Sequence, residues 1–380
     1  MTLFDFRIVS VFRSHVSWAK ISRELAQALL RKGYRVCIEE DESEPYDPDF
    51  PLTNELKAII SKNEQPAKID LLVVRPELFE KFGRSKIRLA IMVFEAPAWP
   101  VSWVRAAKDH IDLALVPSTF CRDGLISSGL PPAQVELLPH GIDQTIFNTE
   151  GKIYTQNKDL KVLFVGTPAR RKGLDILLCA FEKAVSISPN LSLTIKTKAW
   201  PFREDAVNDL EQKFSDFRAN KISFNWIPNF LSEEELSQLY QSHDVLCLPH
   251  RGEGFAMTCL ESMACGTPVI ATAWSGLLDY FDASVGWPME EFHRCSSEGL
   301  FPDSFPDNKF ASMVEPSTDE LTTLLILLSR KTSGEILERK GIVASKRAGS
   351  LSWDDISTKM LGFIKILQSQ SSASGQERRI

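Results

Sequence analysis

The sequence predicts an α/β protein built from two doubly wound domains. Three observations carry that prediction. Short apolar runs alternate with stretches of helical periodicity along most of the 380 residues. The alternation pauses once, over a polar stretch at 148–159. A glycine-rich turn, Arg251-Gly252-Glu253-Gly254-Phe255, follows one apolar run and opens a helix. Repeated strand–helix alternation means a parallel sheet covered by helices on both faces. A chain of this length favours two domains, or one large one.

The elements follow in order. Residues 7–12 form a short apolar strand. Residues 17–32 carry Ile21, Leu25, Ala28 and Leu29 at helical spacing, and Gly33 is placed to end that helix. A strand is expected at 34–38, and an acidic loop with two prolines at 39–50. Further strands are expected at 69–74, 87–94, 113–116 and 135–138. Ser118 is placed to cap a short helix ending near Gly129. The linker falls at 148–159, which is polar and aperiodic.

A second series begins with a strand at 161–165 and a helix at 174–187. Strands follow at 191–196 and 222–226. Ser232-Glu233-Glu234-Glu235 has the form of a capping box and opens a helix reaching Ser242. Strands at 245–248 and 269–271 flank the glycine-rich turn. Residues 286–308 read as irregular, and 318–328 and 353–367 as helices. The expected organisation is a first domain at 1–150, a second at 151–367 whose last helix packs back on the first, and a disordered tail at 368–380. Two such halves joined by a linker place a ligand cleft between them, lined by strand C-terminal ends.

Composition narrows the function. Hydrophobic residues make up 43% and charged residues 25%, ordinary values for a globular protein. The net charge of −6 argues against a nucleic-acid partner. The seven cysteines are scattered and match no zinc spacing, as expected of free thiols in a reducing cytoplasm. No apolar run approaches the roughly 20 residues of a membrane span. The expected location is the cytoplasm, with peripheral contact at the inner face of the membrane left open. Asp47-Pro48-Asp49 lies in an acidic loop rather than at a strand end, so no metal site is expected there. No dinucleotide fingerprint, phosphate-loop or nucleophile-elbow signature is present.

Two segments carry chemistry. In Val165-Gly166-Thr167-Pro168-Ala169-Arg170-Arg171-Lys172-Gly173 a strand ends, three cations follow, and a helix begins. Cations at a strand's C-terminal end suit a diphosphate. Read alone, the loop is as well explained as a solvated basic turn. The second segment is the glycine-rich turn and the helix after it, through Met257, Thr258 and Glu261 to Cys265-Gly266-Thr267-Pro268. A turn that opens a helix presents free N–H groups and the positive end of the helix dipole, which suits an anion. Carboxylates beside an anion site make sense when the ligand also carries hydroxyls, as a sugar nucleotide does.

Residues 161–282 resemble the nucleotide-sugar domain of the family 4 retaining glycosyltransferases, which have the GT-B fold. Those enzymes carry a Glu-Gly-Phe-Gly turn followed by Leu-Glu-Ala-Met-Ala-Cys-Gly-Thr-Pro-Val, and upstream a strand–glycine loop ending in Lys-Gly. A weaker likeness continues through Val116-Pro117-Ser118-Thr119-Phe120 and Pro139-His140-Gly141-Ile142-Asp143. The Arg171-Lys172-Gly173 triplet is similar to one subgroup of the family. The resemblance implies two Rossmann-like domains facing a central cleft. It implies retaining transfer of a sugar, of hexosyl type, from a UDP- or GDP-linked donor to a glycan, lipid or small-molecule acceptor, with no metal or other cofactor. Building of a polysaccharide or glycolipid is the role it suggests.

By position, the resemblance implies that Lys172 binds the donor diphosphate, with Arg171 as the second cation. Glu253 would hydrogen-bond the transferred sugar. Gly254, Phe255, Ala256 and Met257 would line the sugar and phosphates, with Gly166, Thr167 and Thr258 beside them. Glu261 would hold the ribose hydroxyls. Three departures stand out. Thr167 stands where many members have arginine, so Arg170 or Arg171 must supply the second cation, and the Arg-Lys-Gly triplet favours Arg171. Ala256 replaces the second glycine of the turn. The loop after the first strand, Arg13-Ser14-His15-Val16-Ser17-Trp18, has no glycine where the family usually has several. The acceptor-side candidates are therefore Glu95, His15, Ser17, Trp18 and His110. Trp99 and Trp103 are better placed in the core than on an acceptor sugar. The alternative readings are a catalytically inactive nucleotide-sugar-binding regulator or scaffold, and another GT-B enzyme such as an epimerase or phosphorylase.

Overall fold

The computed structural model describes residues 3–43, 46–61, 65–154, 159–197, 204–301, 312–330 and 334–377. The chain forms two compact units. The first comprises Met1–Phe94, Ala98–Gly141 and Leu351–Ile380, and the second Glu95–Pro97 and Ile142–Ser350.

The first unit contains β1 (Phe4–Ser10), α1 (Ser17–Arg31), β2 (Val36–Glu40), α2 (Asn54–Ile59), β3 (Ala67–Val73), α3 (Phe79–Phe82), β4 (Ile87–Ile91), α4 (Val101–His110), β5 (Leu113–Val116), α5 (Thr119–Ser127) and β6 (Val135–Leu137). Its six strands are all parallel, in the order β2-β1-β3-β4-β5-β6. Ser118 caps α5, accepting the Cys121 N–H at 3.2 Å. Within the otherwise apolar β1, Arg7 is buried and bidentate to Asp70 of β3 at 2.9 and 2.8 Å. A buried cation needs that partner, because an unpaired one costs several kcal/mol. Trp99 and Trp103 are buried, packed around Phe94.

The second unit contains β7 (Leu160–Val165), α6 (Leu174–Ile187), β8 (Leu191–Lys196), α7 (Glu204–Ala219), β9 (Phe224–Ile227), α8 (Glu233–Gln241), β10 (Val245–Leu248), α9 (Met257–Ala264), β11 (Val269–Thr272), β12 (Gly286–Met289), β13 (Phe292–Ser296), β14 (Ser312–Pro316), α10 (Thr318–Leu328) and α11 (Gly334–Gly349). Its parallel sheet runs β12-β11-β10-β7-β8-β9. Read from the other edge, this is the doubly wound dinucleotide-binding order, whose connections reverse direction between β7 and β10. The core is apolar and aromatic, with Phe164, Phe181, Phe214 and Phe217 fully buried. The capping box at Ser232 is complete, with Glu235 returning to the Ser232 N–H at 2.7 Å. Gly341 of α11 lets that helix lie against the end of α9, since a Cβ there would sit 2.2 Å from the Gly266 carbonyl oxygen.

Several elements differ from the sequence reading. The stretch 286–308, expected to be irregular, contains β12 and β13; 302–308 lie outside the described residues. β13 pairs antiparallel with β14. Helices α2, α3, α4, α7 and α11 are further elements that the sequence reading does not predict. The last helix, α12 (Trp353–Glu377), continues into the segment expected to be a disordered tail, 368–380, of which 378–380 lie outside the described residues. Its Asp354 pairs with Arg31 of α1 at 3.0 Å, within the first unit. Among the described residues, no helix is long and apolar enough to cross a membrane.

Candidate active site

The loops leaving the C-terminal ends of β7 and β10 lie side by side, because those strands are neighbours and both run the same way. This is the switch point of the second sheet, where open α/β folds bind ligands. The β7 loop turns through a short 3-10 segment, Arg170–Lys172, and hands over to α6 at Gly173. Gly173 has φ +74°, and a Cβ there would lie 1.8 Å from the Pro249 carbonyl oxygen. Only glycine permits both the left-handed turn and the approach of the β10 loop.

Four charged side chains converge there, those of Lys172, Arg171, Glu253 and Glu95. Lys172 Nζ lies 2.6 Å from Glu253 Oε1, and an Arg171 guanidinium nitrogen lies 3.2 Å from the same oxygen. Arg171 also donates to the Gly252 carbonyl at 2.7 Å and to Glu95 Oε1 at 2.8 Å. Glu253 is buried. Burial alone would raise its pKa, but Lys172 and Arg171 hold it down to about 2. Burial likewise works against the charge on Arg171, and Glu95 and Glu253 outweigh it, so its pKa is raised. The segment is therefore a fixed ionic cluster rather than a solvated basic turn. Arg170 is exposed and contributes its carbonyl.

Beyond Glu253 the chain passes through Gly254 and Phe255 to Ala256, which has φ 64° and ψ 65° and precedes α9 without a side-chain cap. The N–H groups of the first turn of α9, at Met257 and Thr258, have no side-chain cap and follow Glu253 by four and five positions. Tyr280 pins the turn, its hydroxyl donating to the Phe255 and Ala256 carbonyls at 2.6 and 2.8 Å. Glu261 is buried, and its Oε2 accepts the Tyr240 hydroxyl at 3.0 Å. Gly166 ends β7, its N–H bonded to the Lys196 carbonyl at 3.1 Å, and Thr167 is exposed beyond it.

Sequence reasoning missed the groups that brace this site. Arg251 is buried at 1% exposure and grips Asp175 of α6 and Glu315 of β14. Its N–H donates to the Arg171 carbonyl at 2.8 Å. Ser275 accepts the Glu253 N–H at 2.9 Å. His250 is fully buried and neither ring nitrogen has a partner among the described residues; burial lowers its pKa to about 4. None of these carries a local signature, because each contact joins segments far apart in sequence.

The first-unit candidates separate. His15, Ser17 and Trp18 are exposed at the C-terminal end of β1 and the start of α1. The glycine-free loop contains no left-handed residue, so its backbone has no need of glycine. His15 packs edge-on against Phe50 at 4.8 Å. His110 is a correction. It ends α4, which leads into β5, so it lies at the N-terminal edge of the sheet, opposite the strand ends where His15 and Trp18 lie. The helix preceding a parallel strand must deliver the chain to that strand's start. Glu95, also expected on the acceptor side, belongs with the second unit as the partner of Arg171. Among the described residues, no three His, Cys, Asp or Glu side chains are grouped to hold a metal ion.

Residues 147–291, which include the ionic cluster and α9, match the family model described as "Glycosyl transferases group 1". The chain is 27% identical over 259 residues to the MMP alpha-(1->4)-mannosyltransferase of Mycolicibacterium hassiacum, covering 67% of this chain and 54% of that protein. It is 30% identical over 192 residues to a sulfoquinovosyl transferase of Arabidopsis thaliana, covering 48% and 34%. A D-inositol 3-phosphate glycosyltransferase of Rhodococcus erythropolis is 28% identical over 163 residues, covering 39% and 35%. The matched stretches thus span about half the length of the first relative and about a third of the other two. Among solved structures, sucrose-phosphate synthase from Thermosynechococcus elongatus superposes with a TM-score of 0.70 at 17% identity, covering 97% of this chain and 100% of that one. The Anabaena protein HepE, solved with UDP and glucose, gives 0.68 at 12% identity, covering 95% and 99%. These likenesses show the fold: two Rossmann-like α/β domains of the GT-B class.

Proposed function

We propose that the chain is a retaining glycosyltransferase that moves a sugar from a nucleotide-sugar donor to an acceptor hydroxyl. The convergence of Lys172 and Arg171 on Glu253, just before the uncapped N-terminus of α9, carries this reading. The group 1 model matched over this region and the sugar-transferring relatives support it. HepE was solved with UDP and with UDP-glucose, which favours a UDP-linked sugar over a GDP-linked one.

In this reading the donor diphosphate takes Lys172 and Arg171 as its counter-charges and the first-turn amides of α9 as hydrogen-bond donors. Lys172 and Arg171 stabilise the negative charge that grows on the departing diphosphate, the kind of preorganised electrostatic work that dominates many enzymes. Glu253, already ionised, orients the hydroxyls of the transferred sugar. Glu261 accepts from the ribose. The bond from the anomeric carbon to the phosphate oxygen breaks while the acceptor oxygen bonds to that carbon on the same face. The acceptor's proton passes to a donor phosphate oxygen. The proposal assigns the cationic work to protein side chains, with no resident cofactor. The acceptor is a glycan, a lipid-linked group or a small molecule, met in the cytoplasm or at the inner membrane face.

The test is release of nucleoside diphosphate from UDP-, GDP- and ADP-linked sugars with candidate acceptors. Lys172→Ala and Glu253→Ala should each lower turnover by about 100-fold or more. Near-wild-type turnover in both variants refutes the reading. A wild type that binds a nucleotide yet releases none, whatever the acceptor, is instead an inactive binding protein.

A further inference from the structure

Three non-glycine residues among those described have a left-handed φ: Lys221, Ala256 and Ser275. Two of them border Glu253. Ser275, at φ 74° and ψ −154°, occupies a backbone region that is essentially reserved for glycine. It is buried, so water does not explain its retention. Its hydroxyl gives a reason. Ser275 Oγ accepts the Glu253 N–H at 2.9 Å, and the next residue, Gly276, donates its N–H to the Glu253 carbonyl at 2.9 Å. Both main-chain groups of Glu253 are therefore held by two consecutive residues. The strained loop is anchored in turn, because Ala273 donates to the Met289 carbonyl of β12 at 2.8 Å. A glycine at 275 would relieve the backbone but offer no acceptor to the buried Glu253 N–H.

We propose that Ser275 is a positioning residue: its hydroxyl fixes the backbone of Glu253 so that the carboxylate meets Lys172, Arg171 and the transferred sugar in one orientation. The inference rests on the glycosyltransferase reading and deepens it. Ser275→Ala and Ser275→Gly both remove the hydroxyl, but only Ser275→Ala keeps the strain. Thermal unfolding should therefore rank Ser275→Gly above Ser275→Ala by roughly 2–4 °C. Turnover of the active sugar nucleotide should ignore that ranking. Both variants should lose about tenfold in kcat, the effect of one lost hydrogen bond, with KM little changed. In a Glu253→Gln background the Ser275→Ala loss should vanish. Turnover that tracks thermal stability, a Ser275→Gly variant with the wild-type rate, or full additivity with Glu253→Gln would overturn the inference. If the wild type turns over no UDP-, GDP- or ADP-sugar, the glycosyltransferase reading fails by itself. The positioning role is then read from a crystal structure of Ser275→Gly, supported if the Glu253 carboxylate leaves Lys172 and overturned if it stays.

Discussion

Arg251 and Glu315 meet fork to fork, with Nε and Nη2 of the guanidinium each 2.6 Å from one carboxylate oxygen. The opposite side of the same guanidinium takes both oxygens of Asp175 at 2.9 and 2.7 Å. One buried cation therefore ties β14, the start of α6 and the cationic loop together. Removing one partner from such a group leaves charge without compensation. Glu315→Gln keeps the size and halves the fork. It should destabilise the protein by about 1.5–3 kcal/mol, the range for hydrogen bonds to charged groups. Because Arg251 also holds the main chain of Arg170 and Arg171, affinity for the nucleotide of the proposed donor, UDP in the first instance, should weaken with it. Arg251→Lys should do more harm, since an ammonium cannot serve two planar carboxylates. Denaturant unfolding and UDP titration of both variants check this; unchanged UDP affinity in both would show that the brace does not reach the loop.

Gly173 offers a sharper substitution. Alanine there must accept a left-handed φ and also push the Pro249 carbonyl away, since its Cβ would sit 1.8 Å from that oxygen. Backbone strain alone costs about 1–3 kcal/mol. Gly173→Ala should therefore fold with a lowered melting temperature, and the β7 and β10 loops should separate. Lys172 would then lose register with Glu253. A variant with wild-type melting temperature and wild-type UDP affinity would contradict this packing.

How much of this was legible beforehand follows from where each signal lives. Helices α6 and α10 and the Ser232 capping box announce themselves through spacing and caps within one or two turns, so a linear reading finds them. Lys172 and Glu253 each adjoin a glycine that marks a loop at a strand end, but that local signal is weak, and it is the resemblance of the longer segments around them that singles the two out. The β13–β14 hairpin is not, because Phe292–Ser296 gains its partner only from Ser312–Pro316 and has no strong alternation of its own. Ser275, Tyr280, Asp175 and Glu315 act on residues tens of positions away, and their own neighbours in sequence say nothing of it. His110 misled for a related reason: the sequence supplies a histidine after a helix, but only the direction of the next strand tells which edge of the sheet it occupies.

Acid should destabilise this protein in two ranges of pH. Burial holds His250 and His243 down to about 4 and His140 to about 3, against an ordinary 6.5. Between these values the unfolded chain binds protons that the folded chain refuses, so stability falls as pH drops from 6.5 towards 4. Each such histidine contributes up to ~1.4 kcal/mol per pH unit across that range. Glu253 has its pKa lowered from 4.5 to about 2, so its contribution is complete above pH 4.5 and is lost between there and pH 2. Urea unfolding at a series of pH values should show the upper slope, and His250→Gln should make it shallower. An equal slope in that variant would mean that His250 is not buried in its neutral form.

Ala256 and Ser275 share a left-handed backbone at one site but retain it for different reasons. The Ser275 hydroxyl makes a bond that glycine cannot replace. The Ala256 methyl makes none, and the turn is held by Tyr280 through the Phe255 and Ala256 carbonyls, which any residue at 256 supplies. An alanine at φ 64° costs about 1–2 kcal/mol, the penalty of a Cβ crowding the following carbonyl. Part of that gain is offset by the extra freedom of glycine in the unfolded chain, about 0.5–1 kcal/mol. Ala256→Gly should therefore raise the melting temperature slightly, where Gly173→Ala lowers it, and the two substitutions test one backbone principle in opposite directions. Differential scanning calorimetry of Ala256→Gly alone and combined with Tyr280→Phe separates the strain from the pin. A lowered melting temperature for Ala256→Gly would mean that the methyl packs productively and the turn is not strained.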